Sequence, residues 1–94
     1  MLVERSELLI KDGMEDEFAT VMARKAVPLL KGLKGINAVS FGRGIENPGK
    51  FMLLVEWESM DAHSAFRTDP VYPEFRALLS PFTKGGAMEH FNMS

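Results

Sequence analysis

The sequence predicts an α+β fold in which a four-stranded antiparallel sheet carries helices on one face. Three features predict it. An apolar strand from Phe51 to Glu58 passes directly into a helix that Ser59 can cap. The turn Asn47-Pro48-Gly49-Lys50 joins that strand to the one before it. Strand and helix periodicities alternate along the rest of the chain.

Length and composition indicate a single domain spanning residues 1–94. Hydrophobic residues make up 46% of the chain, and the net charge of −2 offers no basic surface for nucleic acid. We expect no membrane partner, because the longest apolar run is about five residues. Cysteine is absent and no signal peptide is apparent, which indicates a cytoplasmic protein.

The chain begins with a strand and an amphipathic helix. Residues Leu2 to Ile10 have the character of a strand, and Lys11-Asp12-Gly13 forms a turn. Asp12 is placed to cap the helix, and Glu15 completes a capping box. Apolar side chains then recur every three or four residues from Met14 to Leu29, as in a helix with one buried face.

The middle of the chain predicts a hairpin. Pro28 lacks an amide hydrogen, so we expect the first helix to kink or tighten there before Gly32 and Gly35 end it. A second strand is predicted from Ile36 to Ile45, and the third strand runs from Phe51 to Glu58.

The last third of the chain predicts two helices and a strand. A helix from Met60 to Thr68 follows the Ser59 cap, and Asp69-Pro70 breaks it. A further helix is predicted from Pro73 to Leu79, and a last strand from Met88 to Asn92. The order βαββαβ with two crossovers is the ferredoxin-like arrangement, with all helices on one face of the sheet.

Both faces of the sheet carry apolar side chains. Phe51, Leu53 and Val55 point to one side of the third strand, whereas Met52 and Leu54 point to the other. One layer of helices covers only one face, so the second face needs another cover. We therefore expect a homodimer through the sheet face, which closes a dimeric α+β barrel.

Few side chains offer acid–base or metal chemistry. His63 on a helix and His90 on the last strand are candidates for an acid, a base or a metal ligand. They lie far apart in the sequence with no carboxylate at ligand spacing, so we expect no metal site. Three charged residues in the strands, Arg5, Glu7 and Glu56, are expected to form ion pairs across the sheet. The alternative is that one of the two carboxylates stands in a cavity wall and serves as a base with a raised pKa.

Aromatic and sulfur-containing side chains suggest a pocket for a small apolar ligand. Trp57 and Tyr72 are expected to line it. The side chains expected around them are Phe18, Met22, Phe66, Phe75 and Phe82, although core packing is an alternative for each.

The chain as a whole resembles the antibiotic biosynthesis monooxygenase family of dimeric α+β barrels. The segments that carry the resemblance are Asp12–Phe18, Leu54–Ser59, Asp61–Phe66, Asp69–Tyr72 and Ala87–Phe91. The resemblance implies a substrate held between sheet and helices. In some members of the family a phenolic or quinol substrate is deprotonated and reacts with O2 without metal or flavin. Other members degrade haem, or isomerise or cyclise small molecules.

The chain departs from two patterns in that family. Quinol-oxidising members carry histidines where Phe66 and Val71 stand here. Haem-degrading members use an asparagine where Ser6 stands, and a later histidine near Phe75-Arg76, where this chain has none. Haem degradation is therefore disfavoured.

The resemblance and the residues together predict an enzyme that oxidises a small apolar aromatic compound with O2 and needs no cofactor. His63 and Tyr72 are the expected catalytic residues, and Asn37 and Arg76 join the aromatic residues as substrate contacts. One alternative is a non-catalytic dimeric module that binds a small molecule or serves in a stress response. Isomerase or cyclase chemistry is the other.

Overall fold

The computed structural model describes residues 1–94. The strands are β1 (Leu2–Ile10), β2 (Ile36–Arg43), β3 (Lys50–Trp57) and β4 (Thr83–Asn92), and the helices are α1 (Glu15–Val21), α2 (Val27–Lys31), α3 (Met60–Thr68) and α4 (Val71–Leu79). The strands form one antiparallel sheet in the order β2-β3-β1-β4. The predicted ferredoxin-like βαββαβ fold is confirmed. None of the helices has the length and apolar character that crossing a bilayer requires.

Two strand boundaries differ from the prediction by two residues or more. β4 begins at Thr83 rather than Met88, because Gly85 and Gly86 pair with Leu9 and Leu8 of β1. Glycine is depleted in strands, which hid this extension from the sequence pattern. β2 ends at Arg43 and leaves Ile45 in the following loop, where it is 90% exposed.

The first helix also differs from the prediction. Met14 occupies its N-cap position with no side-chain hydrogen bond, so the predicted capping box at Asp12 is wrong. The Asp12 carboxylate instead contacts Lys84 Nζ at 3.2 Å. One turn of π-helix, Met22–Ala26, separates α1 from α2, and Pro28 stands in the first turn of α2. The helix therefore widens just before the proline rather than tightening.

Helix α3 packs closely against the turn that precedes β2. Gly35 adopts φ +90°, and a Cβ at this position would lie 2.7 Å from the Cβ of Ala62 on α3. Only glycine combines this backbone conformation with such a close approach. The Gly35 carbonyl also accepts a hydrogen bond from Glu58 N at 2.8 Å, which fixes the end of β3 where α3 begins.

One end of the layer between sheet and helices is filled by aromatic rings. Phe18 is fully buried, and its ring centroid lies 5.1 Å from that of Phe51, 5.6 Å from that of Phe82 and 6.1 Å from that of Phe41. Met22 and Ala26 are also fully buried in this core.

The opposite face of the sheet carries no helix. Its apolar side chains alternate with the buried ones and belong to Val3, Leu9, Met52, Leu54 and Phe91. Arg5 contacts Glu7 at 3.4 Å and Glu89 at 3.3 Å on the same face, which confirms part of the predicted ion pairing. Glu56 takes no part in these pairs. The homodimer stays a prediction.

Candidate active site around Glu4 and His63

A carboxylate lies buried between the sheet and the helices. Glu4 is the third residue of β1 and shares the helix-facing side of the strand with Ser6 and Ile10. Glu4 is 8% exposed to solvent. Oε1 accepts a hydrogen bond from Trp57 Nε1 at 3.2 Å, and Oε2 accepts one from Ser6 Oγ at 3.0 Å. These two bonds fix the carboxylate and offset part of the cost of burying it.

His63 faces this carboxylate from α3. The helix begins at the Ser59 cap, whose Oγ accepts a hydrogen bond from Ala62 N at 3.1 Å, as predicted. His63 follows in the first turn and is 6% exposed. Its Nε2 atom lies 3.1 Å from Glu4 Oε1, and its ring meets the Trp57 ring edge-on at 5.2 Å.

His90 completes the cluster from the opposite side. It is the direct partner of Glu4 in the pairing of β1 with β4. Its Nε2 atom lies 3.6 Å from Glu4 Oε1, and the two histidine rings have their centroids 4.5 Å apart. His90 Nε2 is buried without any hydrogen-bond partner.

The surroundings of His63 favour its neutral form. Burial away from water lowers the pKa of His63, and the positive charges of His90 and Arg67 add to this effect. The negative charge of Glu4 acts in the opposite direction, but the pKa stays below the ordinary value. A neutral imidazole beside a carboxylate is able to accept a proton from a bound molecule.

A cavity of about 380 Å³ opens beside this cluster, between the sheet and helices α3 and α4. Glu4, Ser6 and His63 form part of its polar wall, with Arg67 and Arg76. The apolar part includes Leu8, Leu53, Phe66, Phe75, Leu79, Ala87 and Met88. The Phe66 ring meets the rings of Tyr72 and Phe75 edge-on, with centroid distances of 5.1 and 5.7 Å.

Five of the predicted site residues lie on the cavity wall. His63, Tyr72, Phe66, Phe75 and Arg76 all line it. His63 is buried, and Tyr72 is half-buried with the Arg67 guanidinium 6.0 Å from the centre of its ring. The two residues that we expected to be catalytic therefore border the same cavity.

Four other predicted contacts lie outside this wall. Phe18 and Met22 are fully enclosed by the core, so neither can touch a ligand in the cavity. Trp57 stands behind Glu4 and His63, where its indole supports them. Asn37 is exposed near the start of β2, where the strand pairing is irregular.

The two histidines, which are far apart in the sequence, lie side by side in the structure. The structure places His63, His90 and the carboxylate of Glu4 together, with one ligand atom from each within 4.8 Å of the others. Sequence reasoning missed Glu4 and considered Arg5, Glu7 and Glu56, which belong to the opposite face. Alternation along β1 was the available signal, since it puts Glu4 on the same side as Leu8 and Ile10.

The fold and the site define a small α+β protein with a ligand-sized cavity, whose polar wall carries a buried carboxylate and a histidine. The sequence profile of the antibiotic biosynthesis monooxygenase family matches residues 1–78. The chain belongs to this family, and the predicted resemblance is confirmed.

The chain is also similar to individual proteins and solved structures. The uncharacterized protein YczJ of Bacillus subtilis (strain 168) is 40% identical over 93 residues, which cover 97% of each chain. A Bordetella bronchiseptica protein of the antibiotic biosynthesis monooxygenase class superposes with a TM-score of 0.90 at 28% identity, over 99% of this chain and 96% of that one. SnoaB, a cofactor-independent oxygenase from Streptomyces nogalater, superposes with a TM-score of 0.85 at 15% identity, over 99% and 92%, and shares the fold.

Proposed function

We propose that the protein is a monooxygenase that oxidises a small apolar phenol- or quinol-like compound with O2 and without a cofactor. The observation that carries this proposal is the cavity beside Glu4 and His63, in which an apolar aromatic wall meets a buried proton acceptor. Membership of the monooxygenase family supports the reaction class.

The size and lining of the cavity suit a compact aromatic substrate. A volume of about 380 Å³ lies near the lower end of the range for small-molecule sites, which is about 300–1,000 Å³. Phe66, Tyr72 and Phe75 offer aromatic surface to a flat molecule. A bulky substrate would find too little room.

The polar wall supplies the proton transfer that such a reaction needs. His63 takes the proton of a substrate hydroxyl, and the adjacent Glu4 carboxylate stabilises the resulting imidazolium. The electron-rich anion then reacts with O2. In an anthrone-type substrate one oxygen atom becomes the new carbonyl, and the other leaves as water with two hydrogens of the oxidised carbon. The substrate supplies all four electrons.

Tyr72 and Arg76 have supporting roles in this proposal. Both line the cavity, and a phenol and a guanidinium are hydrogen-bond donors. They stabilise the negative charge that develops on the substrate and on reduced oxygen. SnoaB, which has the same fold, is a cofactor-independent oxygenase. Its example supports a reaction in which the substrate itself passes electrons to O2.

The homodimer belongs to the same proposal. The uncovered face of the sheet carries Leu54, Met52 and Phe91, the last two being 40% and 41% exposed. A second copy packed against this face removes these side chains from water and closes the α+β barrel.

The experiment is an oxygen-consumption assay with a panel of anthrone-type and quinol compounds, using ¹⁸O2 to trace one oxygen atom into the product. We expect turnover by the wild type and at least a 100-fold loss of kcat in His63→Gln, a typical loss for a general base. Glu74→Gln on the exposed side of α4 is the control and should retain activity.

The alternative function gives a different result in the same panel. If the protein is a non-catalytic binding module, a compound that binds will raise the melting temperature of the protein, and the compound itself will remain unchanged. Stabilisation of a folded protein without oxygen uptake across the panel would overturn the proposed reaction.

A further inference from the structure

We infer that Glu4, His63 and His90 form a binding site for one divalent transition-metal ion, of which Zn²⁺ is the representative case. The three side chains reach one point from β1, α3 and β4. This site goes beyond the proposed oxygenase, which uses Glu4 and His63 in their metal-free form and gives His90 no role.

The distances within the cluster fit a metal ion. Nε2 of His63 and Nε2 of His90 lie 3.1 and 3.6 Å from Glu4 Oε1. Ligands bound to Zn²⁺ at about 2.0–2.2 Å, at angles of roughly 90–110°, stand about 3–3.5 Å from one another. All three ligand atoms already lie within 4.8 Å of one another.

The unpartnered nitrogen of His90 is the second observation. Its Nε2 is buried and makes no hydrogen bond. Glu4 Oε1 is 3.6 Å away, beyond hydrogen-bond range, and already accepts a bond from Trp57. A buried polar atom without a partner destabilises the fold, whereas a metal ion in the cluster would satisfy it.

Neighbouring residues hold the carboxylate ligand in place. Trp57 Nε1 and Ser6 Oγ donate hydrogen bonds to its two oxygens. Partners of this kind orient the ligands of metal sites and raise their affinity for the ion. Glu4 and His63 also border the cavity, so an ion held by three protein ligands keeps one position open towards a small molecule.

The donor set indicates which ions bind. Two imidazoles and one carboxylate suit Zn²⁺, Fe²⁺, Co²⁺ and Ni²⁺, whereas Mg²⁺ and Ca²⁺ prefer sites made of oxygen. The chain has no cysteine, so thiolate-seeking ions such as Cu⁺ gain no advantage.

Metal binding and the proposed proton transfer exclude each other. A bound ion uses the electron pairs of His63 and Glu4 that would otherwise take and stabilise the substrate proton. Zn²⁺ is therefore expected to inhibit cofactor-free oxygenation. This consequence rests on the proposed function, whereas the binding itself does not.

The test is a calorimetric titration of Zn²⁺ and Co²⁺ into tag-free protein that has been treated with chelator. The chain has only two histidines and both belong to the cluster, so no other imidazole can bind the ion. We expect one ion per chain, a rise in melting temperature, and visible absorption bands for bound Co²⁺. Mg²⁺ should produce none of these changes.

Variants assign the site. His90→Gln and His63→Gln are each expected to weaken Zn²⁺ binding at least 10-fold, and Glu74→Gln is the matched control that should leave it unchanged. His90→Asn is a second variant in case His90→Gln does not fold, and its fold is checked by circular dichroism. A stoichiometry well below one, or Zn²⁺ affinity unaffected by folded His90 variants, would overturn the inference. Neither readout needs a substrate, so failure here is distinct from failure of the proposed oxygenase.

Discussion

The indole nitrogen of Trp57 donates a hydrogen bond to Oε1 of Glu4 at 3.2 Å, and this bond ties the end of β3 to the start of β1 inside the protein. Trp57 is 2% exposed, so the bond forms away from water. The tryptophan is thus both a core residue and the support of the one buried carboxylate. Its ring also contacts His63, which links the fold to the candidate chemistry.

Replacing Trp57 with Phe tests this support. Phe retains an aromatic ring but has no N–H, so a buried carboxylate oxygen loses its donor. We expect the free energy of unfolding to fall by about 1–3 kcal/mol beyond any packing loss, measured by urea denaturation. The same change in a Glu4→Gln background should cost less, since the charge has gone. Equal losses in both backgrounds would show that packing alone accounts for the effect.

Phe18 was predicted to contact the substrate, but the structure places it in the core. Its side chain is enclosed by the rings of Phe51, Phe82 and Phe41 and does not reach the cavity. Phe18→Ala should therefore lower the free energy of unfolding by about 3–5 kcal/mol.

Phe18→Leu serves as the companion variant because it keeps much of the volume and leaves a folded protein to assay. Its KM for any substrate that the oxygen assay identifies should match that of the wild type. A large change in KM with stability unaltered would place Phe18 at the site instead.

Local signals were sufficient for most of the fold. Ser59 marks the start of α3, and the helix runs over the residues predicted from this cap. The alternation in β3 separates Phe51, Leu53 and Val55 from Met52 and Leu54, as observed. These features depend on neighbours within a few residues, which the sequence displays directly.

The site could not be predicted in the same way. Glu4, His63 and His90 meet only because α3 crosses the sheet where β1 and β4 pair. No spacing in the chain encodes that meeting, since 59 residues separate Glu4 from His63 (63 − 4 = 59) and 27 separate the two histidines (90 − 63 = 27). The extension of β4 through Gly85 and Gly86 was hidden as well, because glycine has low strand propensity.

The lowered pKa of His63 predicts how stability depends on pH. The folded protein binds a proton at His63 less readily than the unfolded chain does. As pH falls below the ordinary imidazole value of about 6.5, the unfolded chain takes up that proton first, and the free energy of unfolding decreases. The contribution is fully present above this pH and is lost as pH falls towards the folded pKa.

Urea denaturation in half-unit steps from pH 8 to 5, with chelator present, measures this effect. His63→Gln should show a flatter curve than the wild type because glutamine does not titrate. Glu74→Gln should follow the wild type in this range, as a general control for substitution. Parallel curves for wild type and His63→Gln would contradict the prediction.

The uncovered sheet face predicts the oligomeric state. Leu54 lies on this face in β3 and pairs with Arg5 of β1 and Ser40 of β2, so its side chain is near the middle of the surface. We expect the wild type to sediment as a dimer at micromolar concentration. Leu54→Glu places an unpaired charge in the proposed interface and should shift sedimentation towards the monomer. Ala77→Glu at an exposed position of α4 adds the same charge elsewhere and should leave the dimer intact.

A monomeric wild type would contradict the prediction. It would show that this face, with Val3, Leu9 and Phe91 beside the Arg5 ion pairs, is polar enough to stay in water.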